Sequence, residues 1–246
     1  MNPRITLATA GRILSQLRHD HRTVALMLLV PCVLLGLLAW IFADSPTPVF
    51  DSIGASLLGV FPFVIMFIVT SVSTLRERTG GTLERLMTTP LGKGDLMVGY
   101  AIAFGVVAIV QSIIATAFAI YVCGLDISGP VWILTAIALL DALLGTALGL
   151  LASGFARTEF QAVQFMPVVI APQLLLCGII VPRGALPEWL QWISNVLPAS
   201  YALEALQQVG AYSEPTGIAV RDIAVVIGFA VLALCLAAAT LRRRTP

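Results

Sequence analysis

The chain has 246 residues, of which 59% are hydrophobic and only 11% charged, with a mean hydropathy of +0.97. A soluble domain of that length needs far more charged surface, so the composition excludes one and describes a chain dissolved mainly in lipid. The net charge of +1 conceals an uneven placement of the basic residues and carries no information about partners, among which no nucleic acid is expected.

The first predicted element covers 1–22. Leu7, Ala10, Leu14 and Leu17 recur at helical spacing with Ile13 beside them, while Arg4, Arg12 and Arg22 project elsewhere. That pattern fits an amphipathic helix in the headgroup layer; a merely basic terminus that sets orientation is the alternative. His19 and His21 read as interfacial, because no second cluster of His, Cys or carboxylates offers them a metal. A bilayer core takes about 20 apolar residues per helix. The first such run, 23–43, is too long for a cleaved signal segment, whose apolar region is about 7–15 residues. The second, 52–75, contains Phe61, Phe63, Met66 and Phe67.

Between the second and third runs, 76–95 is short, charged and punctuated like a helix. Gly80-Gly81 breaks the chain, Thr82 is a candidate N-cap, Leu83 to Met87 is a helical run and Pro90 is a stop. Glu77-Arg78, Gly81-Thr82-Leu83-Glu84, Leu86 and Thr89-Pro90 resemble the signature of the membrane subunits of ABC exporters of type 2. The resemblance implies a cytoplasmic coupling helix that docks on a separate ATP-hydrolysing subunit. It makes Glu77, Arg78, Glu84 and Arg85 the expected polar contacts with that subunit, and Leu83 and Leu86 the apolar anchor.

The third span is 96–123 and the fourth 131–155, interrupted only by Asp141. A carboxylate at the bilayer centre costs roughly 2.5–3.5 kcal/mol on insertion scales, so Asp141 must face protein or water. It is either a proton or cation site, or a group paired with hydroxyls or backbone inside the bundle; no intramembrane His, Lys or Arg offers a relay. Gly145, Gly149, Ser153 and Gly154 have the spacing that lets helices approach closely. The fifth span, 162–181, carries Pro167 and Pro172, each of which removes a backbone donor. Cys32, Cys123, Cys177 and Cys235 are scattered singly and read as small core residues.

The segment 182–221 is too broken to span. Pro187 can start a helix in which Trp189, Trp192, Ile193 and Val196 form one stripe, with Pro198 ending it. Ser200 can cap a second helix over 201–209, ended by Gly210. Such pieces should dip into the outer leaflet or pack across the tops of the spans. Leu186-Pro187-Glu188-Trp189-Leu190, Leu197-Pro198, Tyr201 and Glu204-Ala205 extend the resemblance, which implies a re-entrant outer hairpin here. Gln207-Gln208 departs from it, since family members commonly have an Arg at this point. The sixth span is 223–241, and the whole chain reads as one all-α transmembrane domain of six helices.

With both ends cytoplasmic, only Arg183 and Arg221 fall outside, as the retention of basic residues on the inner side requires. A phosphate-cradling loop needs a lysine before Ser or Thr, yet the single lysine, Lys93, precedes Gly94, and Met87 stands where the first glycine belongs. No histidine lies in a span to serve as a proteolytic base. The chain is therefore expected to be non-catalytic and to bind no cofactor or metal itself. The resemblance implies ATP and Mg on a partner ATPase, a second permease subunit, identical or related, and residence in the bacterial cell (inner) membrane. It also implies a path between subunits lined from the second and fifth spans, here by Phe61, Phe63, Met66, Phe67, Pro167 and Pro172. Those apolar surfaces suit a hydrophobic or amphipathic cargo, a drug or lipid. A lipid-linked polysaccharide is the alternative cargo, and a secondary transporter using Asp141 the alternative class.

Overall fold

The computed structural model describes residues 3–45, 49–80 and 92–240. Six of its helices are long and apolar enough to cross a membrane: α2 (His21–Ile41), α3 (Val49–Thr79), α4 (Lys93–Tyr121), α5 (Val131–Ser153), α6 (Glu159–Leu176) and α9 (Gly217–Thr240). Before them lies α1 (Pro3–His19). A 3-10 turn (Arg183–Ala185), α7 (Glu188–Val196) and α8 (Pro198–Ala211) occupy the interval between α6 and α9. The all-α, six-span architecture agrees with the sequence reading; the expected coupling helix falls in 81–91, outside the described residues.

The bounds differ from the apolar runs for identifiable reasons. α3 has 31 residues, or about 46 Å at 1.5 Å per residue, so it outruns the roughly 30 Å hydrocarbon layer. Its last turn, Arg76 to Thr79, stays helical because Arg and Glu are good helix formers. α6 stops at Leu176 instead of reaching 181, because the chain turns through Gly178 at φ +97°. α9 begins at Gly217 rather than 223, capped by the Thr216 hydroxyl, which accepts from Ala219 N at 3.2 Å. α8 starts at Pro198, not after Ser200; Pro198 takes the first helical position, where its missing N–H costs nothing. Ser200 instead bonds Ser194 Oγ at 3.2 Å. Gly210 remains helical and lies against Ala55, so it does not end α8.

The centre of the bundle is the crossing of α3 and α5, the most extensive helix pair. A Cβ added to Gly145 would stand 2.3 Å from Phe63 O, and one added to Gly149 2.6 Å from Phe67 O. Only glycine permits that approach, and it brings Phe63, Met66 and Phe67 to complete burial. These three residues, expected on a substrate path, are packed inside the subunit. Around this crossing, α9 and α4 pack on α5, α2 and α6 on α3, and α8 wedges between α3, α5 and α9. α6 keeps an open face with Phe160, Pro167, Val168, Pro172 and Leu175 exposed.

α1 lies along α4 and turns inward a stripe of Thr6, Thr9, Ala10, Ile13 and Leu17. Leu7, expected on that stripe, is 62% exposed. The reason is Gly99 on α4, whose bare backbone receives Thr9 and rotates the helix toward its threonines.

Candidate coupling site at the feet of the 81–91 segment

The last turn of α3 places three consecutive charged side chains about 100° apart, so each reaches a different neighbour. Arg76 donates from Nε and Nη2 to Glu159 Oε1 and Oε2 on α6, at 3.0 and 3.1 Å. Glu77 accepts both Nη groups of Arg12 on α1, each at 3.0 Å, and also the hydroxyl of Tyr100 on α4. Arg78 donates to the carbonyl of Ser153, the last residue of α5, at 2.7 Å. Arginine suits a carbonyl-rich helix C-terminus because those oxygens lack partners within the helix.

The opposite foot is built on Asp95. Its Oδ2 accepts from the backbone N–H of Gly92 at 3.3 Å, and its Oδ1 accepts the hydroxyl of Thr6 on α1 at 3.0 Å. Both feet of the segment are thus tied to one helix, α1, through Arg12 and Thr6. The pairs differ in setting. Arg12 and Glu77 have side chains 28% and 15% exposed, against 64% and 49% for Arg76 and Glu159. Burial works against the Arg12 charge, but the two-pronged Glu77 carboxylate outweighs it and holds the guanidinium above its ordinary pKa.

Of the residues expected to meet an ATPase, Glu77 and Arg78 direct their hydrogen bonds to their own chain, while Gly81, Thr82, Leu83, Glu84, Arg85 and Leu86 lie outside the described residues. Arg12, Tyr100, Asp95 and Glu159 complete the site, and the last three went unnoticed in the sequence. Their signal was thin: one tyrosine early in an apolar run, and acids at helix starts.

The other expected positions are distant from this site. Asp141 is fully buried, and neither carboxylate oxygen has a hydrogen-bond partner among the described residues. Trp189 and Trp192 are exposed on α7, Trp192 by 75%. Tyr201 donates its hydroxyl to Asn195 O at 2.8 Å, and Glu204 pairs with Arg183. At the departure from the family pattern, Gln207 donates to Ser56 Oγ at 3.1 Å and Gln208 accepts from Thr216 Oγ1 at 3.2 Å. Among the described residues no three His, Cys, Asp or Glu side chains gather as a metal would require.

The chain is similar to known membrane transport proteins. The family model described as ABC-2 type transporter matches residues 4–209. ABC transporter G family member 20 of Dictyostelium discoideum is 26% identical over 169 residues, 69% of this chain and 23% of that protein. The probable multidrug ABC transporter permease YbhR of Escherichia coli (strain K12) is 29% identical over 154 residues, 63% of this chain and 42% of YbhR. The inner membrane transport permease YhhJ of the same strain is 24% identical over 147 residues, 59% of this chain and 39% of YhhJ. The matched stretch is thus less than half the length of each of these relatives. On a match that takes in the candidate site and every span except the last, the chain belongs to the ABC-2 type transporter family.

Proposed function

We propose that this chain is the non-catalytic permease subunit of an ABC exporter, worked by a separate ATPase subunit that holds the ATP and Mg and docks on 81–91. The observation that carries the reading is the bracing of that segment: one foot is pinned to α1, α4, α5 and α6, the other to α1. The residues on either side of it are held by these bonds. A push on it reaches α3 and α5, the two most buried spans, as a rigid-body movement. Glu77 and Arg78 act in this scheme as internal braces, and Glu84 and Arg85 with Leu83 and Leu86 remain the contacts offered to the ATPase.

The ends of the chain lie on the ATPase side of the bacterial inner membrane. A second permease subunit, of the same or a related chain, completes the path against the open face of α6. The cargo is a hydrophobic or amphipathic compound, a reading supported by the multidrug permease name of one relative and by the apolar, proline-bearing face of α6. Purification of the chain with its natural companions tests the proposal. An ATPase should copurify, and Glu84→Arg should abolish the stimulation of its hydrolysis by cargo. Transport driven by an ion gradient and lost in Asp141→Asn, with no ATPase attached, overturns it in favour of a secondary transporter.

A further inference from the structure

Glu204 is the sole acid of α8, and it stands between two arginines at the end of the bundle away from α1. Arg183, in the 3-10 turn, donates to Glu204 through Nη1 and to Asn195 Oδ1 of α7 through Nη2 at 2.6 Å. Its guanidinium also lies 5.2 Å from the centre of the Tyr201 ring, within cation–π range. Arg221, near the start of α9, has Nη2 3.8 Å from the same Glu204 oxygen while it holds Asp222 Oδ1 at 2.7 Å. One carboxylate therefore ties together the turn, α8 and, at longer range, α9, and Arg183 adds α7.

What α8 covers gives this knot its interest. Ala199, Ala202, Leu203, Ala205 and Leu206 are all buried to within 1%. Ala199, Ala202 and Leu203 pack in one cluster with Cys177. Leu206 reaches Gly59, where an added Cβ would stand 2.5 Å from Leu206 Cδ1 and 2.9 Å from Asp141 Oδ2. The inner face of α8 thus closes over a buried carboxyl that has no hydrogen-bond partner among the described residues, an arrangement costly enough to mark a functional position. Three of the eight buried residues of α8 are alanine, beside the larger Leu203, Leu206 and Val209. Polar ties at the rim add to that apolar hold.

We propose that Glu204 is the positioning residue of a latch that keeps α8 shut over the interior around Asp141 and Cys177, and that α8 withdraws when this end of the subunit opens during transport. The proposal rests on the permease reading for its link to transport. Two arginines make the latch two-positioned: on leaving Arg183 the carboxylate meets Arg221, already near, and is never stranded unpaired, which would be costly at a half-buried site.

Cys177, 1% exposed, is a native reporter beneath α8, and Cys32, 6% exposed on α2, is a native control. The full chain, purified in detergent, is exposed to a hydrophilic maleimide and the labelled peptides are quantified by mass spectrometry. Glu204→Gln should label Cys177 faster by roughly tenfold or more, a factor equivalent to about 1.4 kcal/mol, with Cys32 unchanged. Arg183→Gln should do the same. An unchanged Cys177 rate overturns the latch. So does a parallel rise at Cys32, because Glu204 would then be a general stabiliser of the fold. In a second arm, the natural chain joined to its ATPase should label faster at Cys177 on addition of ATP and magnesium. A rate indifferent to ATP removes α8 from the transport movement. Failure of any ATPase to bind counts against the permease reading and leaves the first arm fully informative.

Discussion

Arg12 of α1 and Glu77 of α3, 65 residues apart, meet in a two-pronged ion pair with both contacts at 3.0 Å, and the hydroxyl of Tyr100 completes the carboxylate's shell. The relationship fastens a helix that precedes the spans to the final turn of a central span. It is half-buried, so its worth lies between that of a surface pair and that of a core pair.

Arg12→Ala should therefore destabilise the chain by about 2 kcal/mol, within the range for hydrogen bonds to charged groups. A double-mutant cycle with Glu77→Ala, read by thermal unfolding in detergent, should give a coupling energy above about 0.5 kcal/mol. Arg12→Lys should not restore stability, because an ammonium cannot reproduce the fork. Additive losses in the cycle would show the pair to be idle.

The Arg76 and Glu159 pair has equally good distances but is far more exposed. Arg76→Ala should change stability by less than about 1 kcal/mol, and raising salt from 0.05 to about 0.5 M should shrink even that effect. A larger, salt-insensitive loss would mean that the side chain is covered in the assembled protein.

Asp20 caps α2, accepting from Thr23 N at 3.2 Å and Thr23 Oγ1 at 2.6 Å. The hydrogen bonds from Thr23 hold its carboxyl below the ordinary value. A depressed folded-state pKa contributes stability that is fully present above the unfolded value, near 3.9, and is lost as pH falls through the folded value. Asp20→Ala should cost about 1 kcal/mol at pH 7 and progressively less below pH about 4. Asp20→Asn, which still caps, should remove that acid sensitivity. Thermal melts of the three proteins at pH 7 and pH 3 check the sign.

Gly145→Ala should destabilise by about 1–3 kcal/mol or block folding, since the new Cβ would stand 2.3 Å from Phe63 O and backbone cannot yield easily. Gly11→Ala, on α1 with open space around it, should be neutral or stabilise by up to about 1 kcal/mol through helix propensity. Yield and melting temperature should fall for Gly145→Ala and hold or rise for Gly11→Ala.

Phe63→Ala should lose about 3–5 kcal/mol of stability as a cavity mutation, whereas Pro167→Ala on the open face of α6 should leave stability nearly intact. If Phe63→Ala instead kept its melting temperature and altered only cargo preference, the burial of Phe63 inside the subunit would be refuted.

Much of the architecture was legible from residue order alone, and the candidate coupling site only in part. The apolar runs marked every span, with ends off by as much as six residues, and Pro187 marked the start of α7. Glu77 and Arg78 were recognised as belonging to a special turn, yet their partners were not, because Arg12, Tyr100 and Ser153 lie 23 to 75 residues away. The glycines of α5 were legible as a close-packing signal, but not that Phe63 and Phe67 would receive them.

The order of residues by itself settled how many helices are apolar and long enough to cross a bilayer, because the transfer of a side chain from water to hydrocarbon is a local property that adds along the chain. Tertiary structure alone decided which way each helix faces. A span that is apolar all round has no wet side to reveal its orientation, so the matter passes to sterics and to a few polar groups. Gly145 and Gly149 drew α5 onto α3 and buried Phe63, Gly99 rolled α1 away from Leu7, and Glu77 turned inward because Arg12 and Tyr100 were there to meet it.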